Sequence, residues 1–151
     1  MPPEPGDGPI AVFDLDGTLA LVEHRLHFIE RRPKDWDAFF AACVHDAPNP
    51  PLVRLAAALA AQQIEIWIAT GRSDAVRADT LAWLARHRVP YDRLLMRPAA
   101  DRRADWVLKR GWLAAGQIPA QRVQMVFDDR ARVVQMWREA GLTCLQVADN
   151  T

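Results

Sequence analysis

Four short apolar runs, each closed by polar or turn-forming residues, constrain this 151-residue chain more than any other feature. "IAVFD" (Ile10 to Asp14), "IEIWIAT" (Ile64 to Thr70), "VQMVFDD" (Val123 to Asp129) and "TCLQVA" (Thr143 to Ala148) are rich in Val, Ile and aromatic residues, as buried strands are. "RLLM" (Arg93 to Met96) is a weaker fifth candidate. The segments between them have helical spacing. Pro50 and Pro51 open a run with Leu52, Leu55 and Leu59 on one stripe, and Ser73 caps a segment with Val76, Thr80, Trp83 and Leu84 on one side. "RADWVLKRGWLAAG" repeats the pattern, and "RARVVQMWREAGL" ends at Gly141. Strands alternating with helices predict an α/β chain, its parallel sheet covered by helices on both faces.

That length suits one domain with a real core and little room for a second. We expect a flexible tail over 1–9 and a single Rossmann-like domain over 10–151. A small helical cap insert is expected at about 20–49, where "DWDAFFAACVH" suggests one short helix. Hydrophobic residues make up 50% and charged residues 25%, a soluble globular composition, and no apolar run reaches membrane-spanning length. Cys43 and Cys144 stand far apart with no Cys-x-x-Cys, which excludes a disulfide framework or zinc centre and suits a reducing cytoplasm. Net charge is zero, against a protein that coats nucleic acid by bulk electrostatics. The charge is uneven, however: Leu81 to Trp112 carries Arg86, Arg88, Arg93, Arg97, Arg102, Arg103, Lys109 and Arg110 against Asp92, Asp101 and Asp105. Such a bias is ordinarily a solvated face, and an anion-binding surface is the sharper alternative.

In parallel α/β sheets polar chemistry collects beyond the carboxyl ends of the strands. Here those ends read Asp14-Leu15-Asp16-Gly17-Thr18, Thr70-Gly71-Arg72 and Asp128-Asp129-Arg130. Carboxylates on adjacent strand ends repel one another unless a cation lies between them. Asp14 and Asp128, with oxygen donors and no His or Cys at hand, fit Mg²⁺. Thr70, the Gly71 amide at a helix start, and Arg72 offer donors for a phosphate dianion. Lys109 adds positive charge, and Asp105, four residues earlier on the same helix, can hold it.

"DLDGT", "TGR", Lys109 and "DD", in that order along nearly the whole chain, resemble the four motifs of the haloacid dehalogenase superfamily. The resemblance implies that Asp14 is the nucleophile forming an aspartyl phosphate and that Asp16 is the general acid and base. It implies Mg²⁺ on Asp14, the Asp16 carbonyl and Asp128, with Asp129 bonding a metal water; Gly17 lets the chain turn. "TGRSDAVRADTLAWL", "LARHRVPYDRLLMRPAADRRADWVLKRGWL", "VQMVFDDRARVVQMWREAGLTCLQVADN" and "HR" at His24-Arg25 resemble the phosphatase domain of phage-type polynucleotide kinase-phosphatases. That resemblance implies removal of 3′-phosphates from DNA or RNA ends. It implies Arg25, Arg72, Asp105 and Lys109 around the phosphate, with Thr18, Thr70 and Gly71 completing the substrate set. No Gly-x-x-x-x-Gly-Lys-Ser/Thr occurs, so 5′-phosphorylation is not expected, and a separate kinase or ligase is a candidate partner.

The alternatives are a nucleotidase or small-molecule phosphatase of the same mechanism, and a non-catalytic end-binding module, which the intact Asp14 and Asp16 disfavour. Asp105 with Lys109 alone reads as a surface ion pair worth ~0.3–0.5 kcal/mol. Trp67, Trp83, Trp106, Trp112 and Trp137 read as core, whereas Trp36 and Phe39 are candidates for a wall beside the phosphate. None of His24, His27, His45 and His87 has metal-ligand spacing, and His24 is the one expected near the site.

Overall fold

Ile10–Phe13 (β1) is buried along its whole length, which only a strand covered on both faces allows. The computed structural model describes residues 6–150. After β1 come Ala20–Leu21 (β2), a 3₁₀ turn at Glu23–Arg25, His27–Glu30 (α1), Trp36–Ala41 (α2), Ala47–Pro48 (β3) and Pro50–Ala61 (α3). Glu65–Ser73 (β4), Arg77–Arg86 (α4), Arg93–Arg97 (β5), Asp105–Ala114 (α5), Val123–Arg130 (β6), Ala131–Glu139 (α6) and Cys144–Asn150 (β7) complete the chain. Every pairing in the main sheet is parallel, in the order β5-β4-β1-β6-β7. The order turns back at β1, so the crevice beyond its carboxyl end lies at the centre of the sheet.

Alternation along the strands divides the core in two. Ala11, Phe13, Ile66, Ile68 and Phe127 pack under α3 and α4, with Phe13 and Phe127 stacked at 4.6 Å. Ile10, Val12, Trp67, Ala69 and Val126 pack under α5 and α6 against Leu108, Trp112, Val133 and Trp137. Each Val, Leu, Ile or Phe among them contributes about 1.5–3 kcal/mol by leaving water. The α/β sheet with helices on both faces is the architecture expected from the alternating runs, and "RLLM" is the edge strand β5.

Several boundaries differ from expectation. β4 runs on through Ser73, with irregular pairing to β5 between Thr70 and Ser73, so the Gly71 amide belongs to a strand rather than a helix start. Ser73 does cap the turn that follows, accepting from the Ala75 N–H at 3.2 Å. β6 runs one residue past the expected stretch, through Arg130. The insert holds two short helices and the β2–β3 antiparallel pair rather than one helix, with Asp35 capping α2 through the Ala38 N–H. Of the expected tail, residues 1–5 lie outside the described residues. Gly8 and Pro9 are tied down, their carbonyls accepting from Arg122 and the Glu65 N–H at 2.9 Å each.

The basic stretch is not one face: Arg86 is exposed on α4 and Arg93 on β5, Lys109 is buried, and Arg102, Arg103 and Arg110 lie on or before α5. Cys43 and Cys144 are free and buried. Among the described residues no helix is long and apolar enough to cross a membrane.

Candidate active site

The turn after β1 delivers two carboxylates to different neighbours. The Leu15 carbonyl accepts from the N–H groups of Thr18, Leu19 and Ala20, closing the chain tightly. Gly17 sits at φ +84°, and a Cβ there would lie 2.2 Å from Asp129 Oδ2. Asp14 therefore faces inward beside β6, while Asp16 faces the insert.

Asp14, Asp128 and Asp129 are buried, with carboxylate oxygens within 4.8 Å of one another. Lys109, buried on α5, donates to Asp14 Oδ1 at 2.9 Å and Asp128 Oδ2 at 3.0 Å. Trp137 Nε1 also donates to Asp128 Oδ2, at 3.1 Å. Asn150 Nδ2 donates to Asp129 Oδ2 at 2.7 Å, and Asp129 Oδ1 is buried with no hydrogen-bond partner among the described residues. Burial, then the charge of Asp128, pushes the Asp14 carboxyl well above the usual range; burial also raises the Asp129 carboxyl. Burial alone would lower the proton affinity of Lys109, but Asp128 and Asp14 more than reverse it.

One ammonium facing three carboxylates leaves net negative charge. The orphaned Asp129 oxygen and the all-oxygen donor set fit a hard divalent cation such as Mg²⁺. The Asp16 side chain is not in this group. The hydroxyl of the fully buried Thr18 makes a long 3.5 Å contact to Asp14 Oδ2.

Opposite lies a guanidinium cluster. Arg72 donates to Asp16 Oδ1 at 2.5 and 3.2 Å, and Arg25 to the same oxygen at 2.9 Å. Burial alone would raise the Asp16 carboxyl, but the Arg72 and Arg25 charges outweigh it and hold it below its ordinary range. The Thr70 hydroxyl accepts from the Arg72 N–H at 3.0 Å, and Arg72 also donates to the Thr80 hydroxyl at 3.1 Å.

Asp46 anchors both arginines and escaped the sequence reading. It accepts from Arg25 through both oxygens at 2.8 Å, from Arg72 at 3.3 Å, and faces His24 Nε2 at 2.6 Å. As a lone acid among turn residues of the insert, 22 and 21 residues from His24 and Arg25, it offers no motif. Phe39 is buried, with the Arg25 guanidinium 4.4 Å from its ring centroid, whereas Trp36 is 45% exposed.

Asp105 does not pair with Lys109 as expected. Lys109 reaches inward to Asp14 and Asp128, and Asp105 instead accepts from Arg97 at 2.5 Å and Arg130 at 3.3 Å. It packs on Gly71, where a Cβ would come within 2.2 Å of Asp105 Oδ1. Arg97, which the sequence reading counted only as surface charge, is the tie. It also donates to the Gly71 carbonyl at 2.7 Å and to the Arg103 carbonyl at 2.5 Å, joining the end of β4 to the start of α5.

The family model of the polynucleotide kinase PNKP phosphatase domain matches residues 9–151. The chain belongs to this family. In fold, this PNKP phosphatase-domain chain is similar to a chain of the Pnkp1/Rnl/Hen1 complex, with 31% identity, TM-score 0.82, 98% of this chain and 48% of that one covered. A chain of the Pnkp1/Rnl/Hen1 RNA repair complex matches at 30% identity and TM-score 0.80 over 95% of this chain and 43% of that one. The chain thus spans about half the length of these relatives. D,D-heptose 1,7-bisphosphate phosphatase from B. bronchiseptica, complexed with magnesium and phosphate, shares the haloacid dehalogenase-like fold at 15% identity and TM-score 0.56, covering 91% and 79% of the two chains.

Proposed function

We propose that the chain is a Mg²⁺-dependent phosphomonoesterase that removes 3′-phosphate from polynucleotide ends through an aspartyl phosphate on Asp14. The observation that carries this is the pairing of a net-negative carboxylate group (Asp14, Asp128, Asp129) with a guanidinium cluster (Arg25, Arg72) across the turn bearing Asp14 and Asp16. Asp14, Asp128 and Asp129, with the Asp16 carbonyl, would hold the ion, which when bound supplies positive charge to the transferring phosphoryl group. Lys109 occupies Asp14 Oδ1, leaving Oδ2 the freer oxygen to attack phosphorus.

As the Asp14 O–P bond forms, the bond to the 3′ oxygen breaks and Asp16 gives that oxygen its proton. Asp16 then takes a proton from water, which attacks phosphorus, frees inorganic phosphate and restores Asp14. Asp16 starts ionised between two guanidiniums. An arriving phosphate dianion draws Arg25 and Arg72 to itself and adds negative charge beside Asp16; both effects raise its proton affinity, so that Asp16 takes up a proton from solvent before the 3′ oxygen leaves. Thr18, Thr70, Gly71 and Asp105 complete the phosphate surroundings in this reading.

The relatives' membership of an RNA repair complex supports a setting in nucleic-acid end repair; the two free cysteines fit a reducing cytoplasm, and a separate kinase or ligase is the partner this reading expects. Incubation with Mg²⁺ and a 3′-phosphorylated oligonucleotide tests the reading, and we expect phosphate release that EDTA stops. Turnover of mononucleotides or sugar phosphates with the oligonucleotide untouched would overturn it.

A further inference from the structure

The charge around the crevice is lopsided. On the insert, solvent-facing Glu23, Glu30, Asp35 and Asp37 outnumber Arg31, Arg32 and Lys34. Beside the starts of α5 and α6, Arg102, Arg103, Arg130 and Arg132 are exposed, with Arg110 about one turn further along α5, against only Asp101 and Asp105. In a parallel sheet those helix starts lie at the crevice end, and Arg130 follows Asp129 directly and bonds Asp105.

Two of these arginines are placed by a single aromatic ring. The Arg132 guanidinium lies 3.8 Å from the centroid of the half-buried Trp106 and that of Arg110 lies 4.9 Å from it, so the indole bridges α5 and α6. Neither Arg110 nor Arg132 forms an ion pair among the described residues, although Arg103 binds Asp101 and Arg97 binds Asp105. Cation–π contact fixes the two like charges at a cost in repulsion that an anion would relieve.

We propose that Arg110 and Arg132, held by Trp106, clamp the phosphodiester backbone of the single strand whose terminal phosphate occupies the crevice. The inference rests on the proposed polynucleotide activity. Both ring contacts are already occupied by guanidiniums, so the clamp reads backbone charge rather than stacking a base. The insert, where acids slightly outnumber bases, offers no comparable excess of positive charge on the opposite rim.

The test compares wild type, Arg110→Ala/Arg132→Ala and a charge-matched control, Arg54→Ala/Arg86→Ala, whose exposed arginines lie on α3 and α4 across the sheet. Binding of a labelled single-stranded 3′-hydroxyl oligonucleotide is followed by anisotropy across a salt series. Hydrolysis of p-nitrophenyl phosphate is measured in parallel. We expect the clamp variant to bind about tenfold or more weakly, with a log Kd against log salt slope reduced by about 1.4, two single-strand phosphate contacts at ~0.7 each. Its p-nitrophenyl phosphate kinetics and the control's binding should match wild type. Unchanged binding in the clamp variant, or equal loss in the control, overturns the clamp. Wild type that binds the strand clamp-dependently yet never hydrolyses its 3′-phosphorylated form overturns the proposed activity and leaves the clamp standing; wild type that binds no strand overturns the clamp.

Discussion

Asp14 and Asp16 are two residues apart on one turn, yet their surroundings push them in opposite directions. On the Asp14 side, carboxylates outnumber cations and the group is held high; on the Asp16 side, Arg72 and Arg25 hold it low. Divergent environments for paired carboxyls divide chemical labour between them. Asp14 belongs to a region that gains by receiving a cation, Asp16 to one that gains by receiving an anion. A phosphate monoester with a divalent ion satisfies both, whereas either alone would leave half of the crevice electrostatically strained.

The largest effect should come from Asp14→Asn, which leaves the arginine side intact and removes the nucleophile. Turnover of any phosphate ester should fall by at least about 10⁴-fold with thermal melting near wild type. Lys109→Met should break the carboxylate side structurally, because removing one member of a buried ionic group costs about 3–5 kcal/mol. Calorimetry checks this. Saturating Mg²⁺ should recover part of the loss, binding at 100 Kd being worth ~2.7 kcal/mol. Asp46→Asn addresses the other side: losing charge-assisted bonds worth about 1.5–3 kcal/mol should lower kcat/KM for p-nitrophenyl phosphate roughly 10- to 100-fold while the Mg²⁺ activation constant stays put. Trp36→Ala, at an exposed position on the insert, should change stability by no more than about 0.5 kcal/mol and leave p-nitrophenyl phosphate kinetics unchanged.

The sheet was legible because β1, most of β4 and the second half of β6 are buried on both faces and so carry apolar stretches that run into the motif residues. Their exact ends were not: Thr70-Gly71-Arg72 continues β4 because Gly71 lets Asp105 pack against the backbone, a contact between residues far apart in sequence. The grouping of Asp14, Lys109 and Asp128 follows from strand and helix order. Asp46 and Arg97 could not be read in the same way. Each is a lone charged residue whose meaning arises only when the insert or the edge strand folds against Arg25, Arg72 or Asp105. Helical spacing suggested an Asp105–Lys109 pair, but the buried Asp14 and Asp128 carboxylates hold the ammonium, and Asp105 pairs with Arg97 instead.

The division of labour between Asp14 and Asp16 is tested most directly by acid-quenching the enzyme during turnover of a 3′-phosphorylated oligonucleotide and sequencing its peptides by mass spectrometry. A phosphoryl adduct on Asp14, absent from Asp14→Asn and longer-lived in Asp16→Asn, is the result expected. Full turnover with no adduct, or an adduct on Asp16, would contradict it.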